Sequence, residues 1–131
     1  MIVDTDILIW YLRGSEAARR FLARVPLSER AVSALTVMEL LQGCRDTRET
    51  RMLNAFVSEN LGAVLHPDEA ISRRAIRLLE SHALRAGLRV VDALIAATTL
   101  EAGTTLATGN VRHYRAIGGL PLVGFRPGAA G

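Results

Sequence analysis

The chain reads as an α/β protein with a central, mostly parallel sheet covered by helices on both faces. Three observations point there. Short apolar runs of strand length alternate with longer segments of helical periodicity from Met1 through Phe125. The best strand candidates are apolar runs suited to burial on both faces, as in parallel sheets. Half of the 131 residues are hydrophobic, which suits one domain, residues 1–131, with a substantial core.

The elements follow in order. Met1–Asp4 is a short strand ending in an acid, and Asp6–Arg13 is a helix rich in Ile7, Leu8, Trp10, Tyr11 and Leu12 that Gly14 stops. Ser15 caps a second helix, Glu16–Val25, with Glu16 in its first turn and Pro26 at its end. Arg30–Ala34 is a strand, and Leu35–Gly43 a helix carrying Glu39. Thr47–Asn60 is amphipathic, with Met52, Leu53, Phe56 and Val57 as one stripe. Gly62–His66 is a strand, and Asp68 caps the helix Glu69–Ala86, which Gly87 terminates. Ile71, Ala75, Leu78, Leu79 and His82 form the inner face of that helix. Val91–Ala102 is apolar nearly all round, so it should be buried. Thr104–Ala107 is a strand, Thr108–Arg112 a loop and Leu122–Phe125 a last strand, with fraying expected over about 127–131.

Composition removes several classes. No apolar run approaches the roughly 20 residues of a membrane span, and the N-terminus lacks a basic stretch followed by an apolar region, so a non-secreted, cytoplasmic protein is expected. Cys44 is the only cysteine, which forbids an intrachain disulfide and fits a reducing compartment. The formal charge is +3 and all 16 basic residues are arginine. That excludes mechanisms needing a catalytic lysine and provides side chains suited to bidentate phosphate contacts.

Acids at the edges of apolar segments carry the functional signal. Asp4 follows Met-Ile-Val, Glu39 sits within Leu35-Thr36-Val37-Met38-Glu39-Leu40-Leu41, and Asp92 opens Asp92-Ala-Leu-Ile-Ala-Ala. Asp4 and Asp6 are also ordinary helix caps. Glu39 has apolar neighbours on both sides, which leaves its helix little polar face. Asp92 shares a helix face with Ile95, Ala96 and Thr99, where a carboxylate needs a partner. A hard divalent cation held by oxygen ligands is a sufficient reason to gather such acids. Parallel sheets place their sites beyond the carboxyl ends of the strands, where Asp4 and Asn110 both fall. The three histidines have no zinc spacing and read as structural.

Taken together, Met-Ile-Val-Asp4-Thr5-Asp6-Ile-Leu, Thr36-x-x-Glu39-Leu40-x-x-Gly43, Asp92-Ala-Leu-Ile-Ala-Ala and Leu-Ala-Thr108-Gly109-Asn110-x-Arg112-His113-Tyr114 resemble the four signatures of PIN domains, and more narrowly of VapC-type ribonuclease toxins. The resemblance spans essentially the whole chain. It implies a three-layer α/β/α sandwich in which Asp4, Glu39 and Asp92 bind Mg²⁺ or Mn²⁺, with Asn110 as a fourth catalytic position where many relatives carry Asp. It also implies supporting roles for Asp6 and Thr108, with Thr5 in the same turn, and puts Arg112 within reach of a phosphate. The implied activity is hydrolysis of RNA phosphodiesters, of a structured RNA such as tRNA. The implied partners are a small VapB-like antitoxin occupying the acidic site and a second copy in a homodimer. Helices Ile7–Leu12 and Met52–Val57 are expected to line the antitoxin groove.

Other readings are weaker. Asp4-Thr5-Asp6 after a strand also fits aspartate-nucleophile phosphatases, but those need a later Lys or Arg motif and a late acid pair, and no acid follows Glu101. A response-regulator receiver needs a late lysine. A non-catalytic PIN-like module binding RNA or protein, and a DNA nuclease of the same fold, remain as alternatives.

Overall fold

The computed structural model describes residues 1–128. Five short strands, β1 (Ile2–Val3), β2 (Ala31–Ser33), β3 (Ala63–Leu65), β4 (Leu106–Thr108) and β5 (Leu122–Gly124), form one sheet in the order β3-β2-β1-β4-β5. Every pairing is parallel, with Ile2 opposite both Ala31 and Leu106 and with Val3 opposite Ala107. Seven α-helices connect and cover the strands: α1 (Thr5–Leu12), α2 (Glu16–Ala23), α3 (Ala34–Gln42), α4 (Thr47–Asn60), α5 (Glu69–Ala86), α6 (Val90–Glu101) and α7 (Val111–Tyr114).

The two-residue repeat of a strand divides the interior in two. Ile2 and Leu106 point to one side and pack with Ile71 and Ala75 of α5, with Ala93, Ile95 and Ala97 of α6, and with Tyr114. Val3 and Ala107, their immediate neighbours, point to the other side and pack with Ile7 and Leu8 of α1, Leu22 of α2 and Leu53 of α4. Adjacent apolar residues thus serve opposite cores, which is why these strands are apolar runs with no polar alternation. The result is the expected α/β/α layering. Ile7 and Leu8 are fully buried, and truncating either to alanine would cost about 2–5 kcal/mol.

Local chemistry sets the helix limits. Ser15, Asp46 and Asp68 accept hydrogen bonds from the N–H groups of Ala18, Glu49 and Ile71, which caps α2, α4 and α5. Gly87 ends α5 in the left-handed conformation, φ 68°, that glycine adopts without strain. Three expectations need correction. The segment expected as a loop after β4 winds into α7, held by the buried Tyr114. Strand β4 lies later than Thr104–Ala107 and includes Thr108. Met52, placed in the apolar stripe of α4, is 60% exposed, while Leu53 is the buried residue of that helix. The expected frayed tail falls largely on residues 129–131, outside the described residues. No described helix is long and apolar enough to cross a membrane.

Strands β2 and β3 extend the sheet from one side of β1, and β4 and β5 from the other. The strand order therefore reverses between β1 and β4, and a crevice opens beyond their carboxyl ends.

Candidate active site

Asp4 leaves β1 at that reversal, and its backbone N–H donates to the carbonyl of Ala107 at 2.9 Å. Thr108, the last residue of β4, is thereby its neighbour across the crevice. The Thr108 hydroxyl donates to Asp4 Oδ2 at 2.7 Å, and the Thr5 N–H donates to Asp4 Oδ1 at 2.8 Å. Asp4 is only 7% exposed. Burial first, then the charge of Asp6 and, less strongly, that of Asp92 push its carboxyl up to about 6, against the lowering pull of Thr108 and Thr5.

Asp6, in the first turn of α1, reaches the loop after β4, and its Oδ2 accepts from the Gly109 N–H at 2.9 Å. A Cβ at position 109 would lie 2.6 Å from that oxygen, so the close approach requires glycine. The other oxygen, Asp6 Oδ1, is buried without a hydrogen-bond partner, and burial raises this carboxyl as well. Asp4, Thr5 and Thr108 form a single hydrogen-bonded unit spanning β1, α1 and β4, and Asp6 separately ties α1 to the loop after β4.

Glu39 joins through Thr5. The Thr5 hydroxyl has one proton, which it donates to Glu39 Oε1 at 2.7 Å, and it accepts from the Thr36 hydroxyl at 3.0 Å. Glu39 is nevertheless exposed, contrary to the expectation of little polar face on its helix. Met38 beside it is exposed too, so α3 turns this edge of its apolar sequence outward. Thr36, one turn earlier, was only part of a motif in the sequence; its contact with Thr5 makes it a support of the centre.

Asp92 is not the N-cap of α6, a place taken by Arg89, but lies in the first turn. Its Oδ2 is 2.8 Å from His113 Nε2, and Tyr114 donates to its Oδ1 at 3.3 Å. Burial first, then Asp4 and Asp92 push the Tyr114 phenol far up, so it remains a neutral donor. His113, read with the other histidines as structural, lies against Asp92. A lone histidine carries no spacing signal, and only α7, absent from the sequence reading, turns it toward Asp92.

Asn110 and Arg112 stand apart. Both are exposed, and the Asn110 side chain makes no hydrogen bond among the described residues; its backbone N–H donates to the Thr108 hydroxyl at 3.0 Å and its carbonyl accepts from the His113 N–H at 3.1 Å. Arg112 projects from α7 into a recess beside Gly109.

The donor set consists of carboxylate and hydroxyl oxygens, the chemistry of a hard divalent cation site. Burial first, and then neighbouring Asp6 and Asp92, disfavour the charged form of Asp4, and among the described residues Asp6 Oδ1 has no hydrogen-bond partner. Among the described residues, no three of His, Cys, Asp and Glu surround a common point closely enough to hold an ion. Asp92 is turned to His113 and Tyr114, and Glu39 to Thr5. The residues fit such a cation in kind, and binding one would draw these two side chains inward.

Comparison with known proteins gives a consistent result. A family model described as PIN domain matches residues 1–118. Ribonuclease VapC19 of Mycobacterium tuberculosis is 38% identical over 117 residues, covering 86% of this chain and 90% of that protein. Ribonuclease VapC10 of the same organism is 39% identical over 125 residues, covering 87% and 85%. Among solved structures, a toxin-antitoxin complex from Klebsiella pneumoniae superposes with a TM-score of 0.78 at 25% identity, covering 96% of each chain.

Proposed function

The chain belongs to the PIN-domain family, in its VapC-like branch, and we propose that it is a metal-dependent endoribonuclease toxin restrained by a cognate antitoxin. The observation that carries the reading is the buried Asp4, raised to about 6 among Asp6 and Asp92 at the strand-order reversal. A cluster of acids held at such a cost is what a cation-dependent hydrolase of an anionic substrate needs. The VapC ribonucleases that resemble this chain along most of its length give the reaction its class.

In this mechanism Asp4, Asp92 and Glu39 would hold Mg²⁺ or Mn²⁺, with Asn110 at the rim. When bound, the cation polarises the scissile phosphoryl group and neutralises charge that develops on it. Thr108 and Thr5 fix both oxygens of Asp4, and Thr5 with Thr36 orients Glu39. His113 and Tyr114 hold the Asp92 carboxylate. Asp6 ties the loop after β4 to α1, keeping Thr108 and Asn110 in register with Asp4. The proposed substrate is a structured RNA such as tRNA, and the compartment is the cytoplasm.

The antitoxin has a natural seat. A groove of about 880 Å³ between α1, α3 and α4 is lined by Ile9, Leu12, Leu40, Met52 and Phe56, with Glu39 at its edge. An amphipathic segment laid there would bury its apolar face and bring a basic side chain to the acids. The toxin-antitoxin complex of matching fold supports a partner of this kind, and a homodimer is proposed by family analogy.

The grip of His113 and Tyr114 on Asp92 favours a second reading, a PIN-like module that binds RNA or protein with little catalysis. One assay separates the two. Purified protein, freed of any partner, is incubated with total RNA in Mn²⁺ or Mg²⁺, in chelator, and as Asp92→Ala; DNA serves as competitor. Discrete RNA fragments that require metal and vanish in the variant are expected. A folded protein whose products match those of the variant with and without metal would support the binding module, and preferential cutting of the DNA would make it a DNA nuclease.

A further inference from the structure

A second recess, of about 660 Å³, opens on the β4–β5 side of the acids and shares Gly109 with them. Its size lies in the range of about 300–1,000 Å³ typical of ligand sites. Gly109 donates its N–H to Asp6 and also lines this recess, so the two are a single residue apart. Arg24, Arg112 and Arg126 line it, and among the described residues no carboxylate does. Three arginines elsewhere are matched with acids, Arg45 with Glu49, Arg73 with Glu69 and Arg74 with Glu101. Among the described residues, Arg112 and Arg126 have no ion pair and no side-chain hydrogen bond, and both are exposed. Their charge is uncompensated and faces the approach to the acids. Between the arginines the wall is apolar, made of Phe21, Val111 and Phe125, with the two phenylalanine rings edge to face at 5.5 Å.

Resting on the ribonuclease reading, we propose that this recess is a substrate subsite holding the RNA strand on one side of the bond to be cut. Arg112 and Arg126 meet the backbone phosphates next to the scissile one, and an unstacked base lies against the Phe21–Val111–Phe125 wall. Arginine pairs with phosphate oxygens in bidentate fashion, and single-stranded RNA is read through bases splayed onto apolar or aromatic surfaces. The groove on the opposite flank is less suited to this role, since Glu39 and Glu49 on its wall offset Arg13 and Arg45, and Arg45 is already paired with Glu49. The strand therefore runs over β4 and β5, with a direction fixed by the charge on either side of Asp4.

The test uses the full chain and an unpaired oligoribonucleotide of mixed sequence. Binding is followed by fluorescence anisotropy in chelator over a range of salt concentrations, and cleavage is followed separately in Mn²⁺. The variant is Arg112→Gln with Arg126→Gln. The control, Arg77→Gln with Arg85→Gln, removes the same charge from exposed positions of α5. Losing two phosphate contacts lowers the slope of log affinity against log salt by about 1.4. The variant should show that loss, and a KM raised roughly tenfold with a much smaller change in kcat, while the control keeps the wild-type slope. Equal weakening by the control, or an unchanged slope and KM in the variant of a wild type that cleaves RNA, would overturn the subsite alone. A wild type that neither binds nor cleaves RNA would overturn the ribonuclease reading with it.

Discussion

The two flanks of the acidic centre are similar in size and opposite in chemistry. Toward β4 and β5 lies a recess with three arginines and, among the described residues, no acid; toward α3 and α4 lies a groove of apolar side chains bordered by Arg13, Glu39 and the Arg45–Glu49 pair. Both are reached from the same few residues, Asp4 to Asp6 in the middle. Under the proposed function, the difference would let one site serve two macromolecules. A polyanion would meet net positive charge on the first flank and balanced charge on the second, whereas an amphipathic protein segment would find the longer apolar groove on the second. Substrate and inhibitor then meet only at the acids, and inhibition need not mimic RNA beyond that point.

Removing the shared middle erases the comparison altogether. Asp4→Ala should lower kcat for RNA cleavage by on the order of 10³-fold or more, since metal assistance is worth several kcal/mol. Gel analysis of metal-dependent fragments measures this, and near-wild-type turnover would exclude Asp4 from the chemistry. The next largest effect should be confined to one flank. Met52→Asp puts a charge on the exposed lip of the groove and should weaken inhibition by the antitoxin about 10–100-fold, a cost of about 1.4–2.8 kcal/mol. The salt slope of RNA binding should stay at its wild-type value, and a parallel loss of both would mean that the flanks are one surface.

A smaller effect sharpens the middle. The folded-state carboxyl of Asp4 is raised from 3.8 to about 6, so its protonated form favours the metal-free fold. That contribution is fully present below pH 3.8 and is lost as pH rises through about 6. Across this window the melting temperature of metal-free wild type should fall relative to that of Asp4→Asn. Thr108→Val removes a hydrogen bond that lowers the Asp4 carboxyl, so the acid limb of the cleavage profile should move to higher pH. A limb that stays in place would dissociate Asp4 from that ionisation.

Much of this arrangement was legible where local chemistry sets structure. The limits of α5 follow from apolar periodicity between a capping Asp and a glycine stop, α4 follows from its amphipathic spacing, and Asp4 is marked by ending an apolar strand. Helix α7 was not legible: four residues after Gly-Asn show no periodicity, and Tyr114 is fixed by a core that only the fold assembles. The supports of Asp92 were lost with it. Glu39 was misjudged because the apolar residues around it suggest burial, whereas α3 lies at the rim with Met38 outward. The arginine recess was hidden because Arg24, Arg112 and Arg126 meet only through the parallel pairing of β4 with β5 and the return of α2 beside them.

The central claim is that the acids between the two flanks are held apart for a divalent cation. Thermal unfolding at neutral pH, with increasing Mn²⁺ or Mg²⁺, tests it without substrate or partner. A ligand that binds only the folded state at 100 times its dissociation constant stabilises it by about 2.7 kcal/mol. The account predicts a melting temperature that climbs with cation concentration in the wild type and remains flat in Asp4→Asn with Asp92→Asn. Identical curves for the two proteins would contradict it.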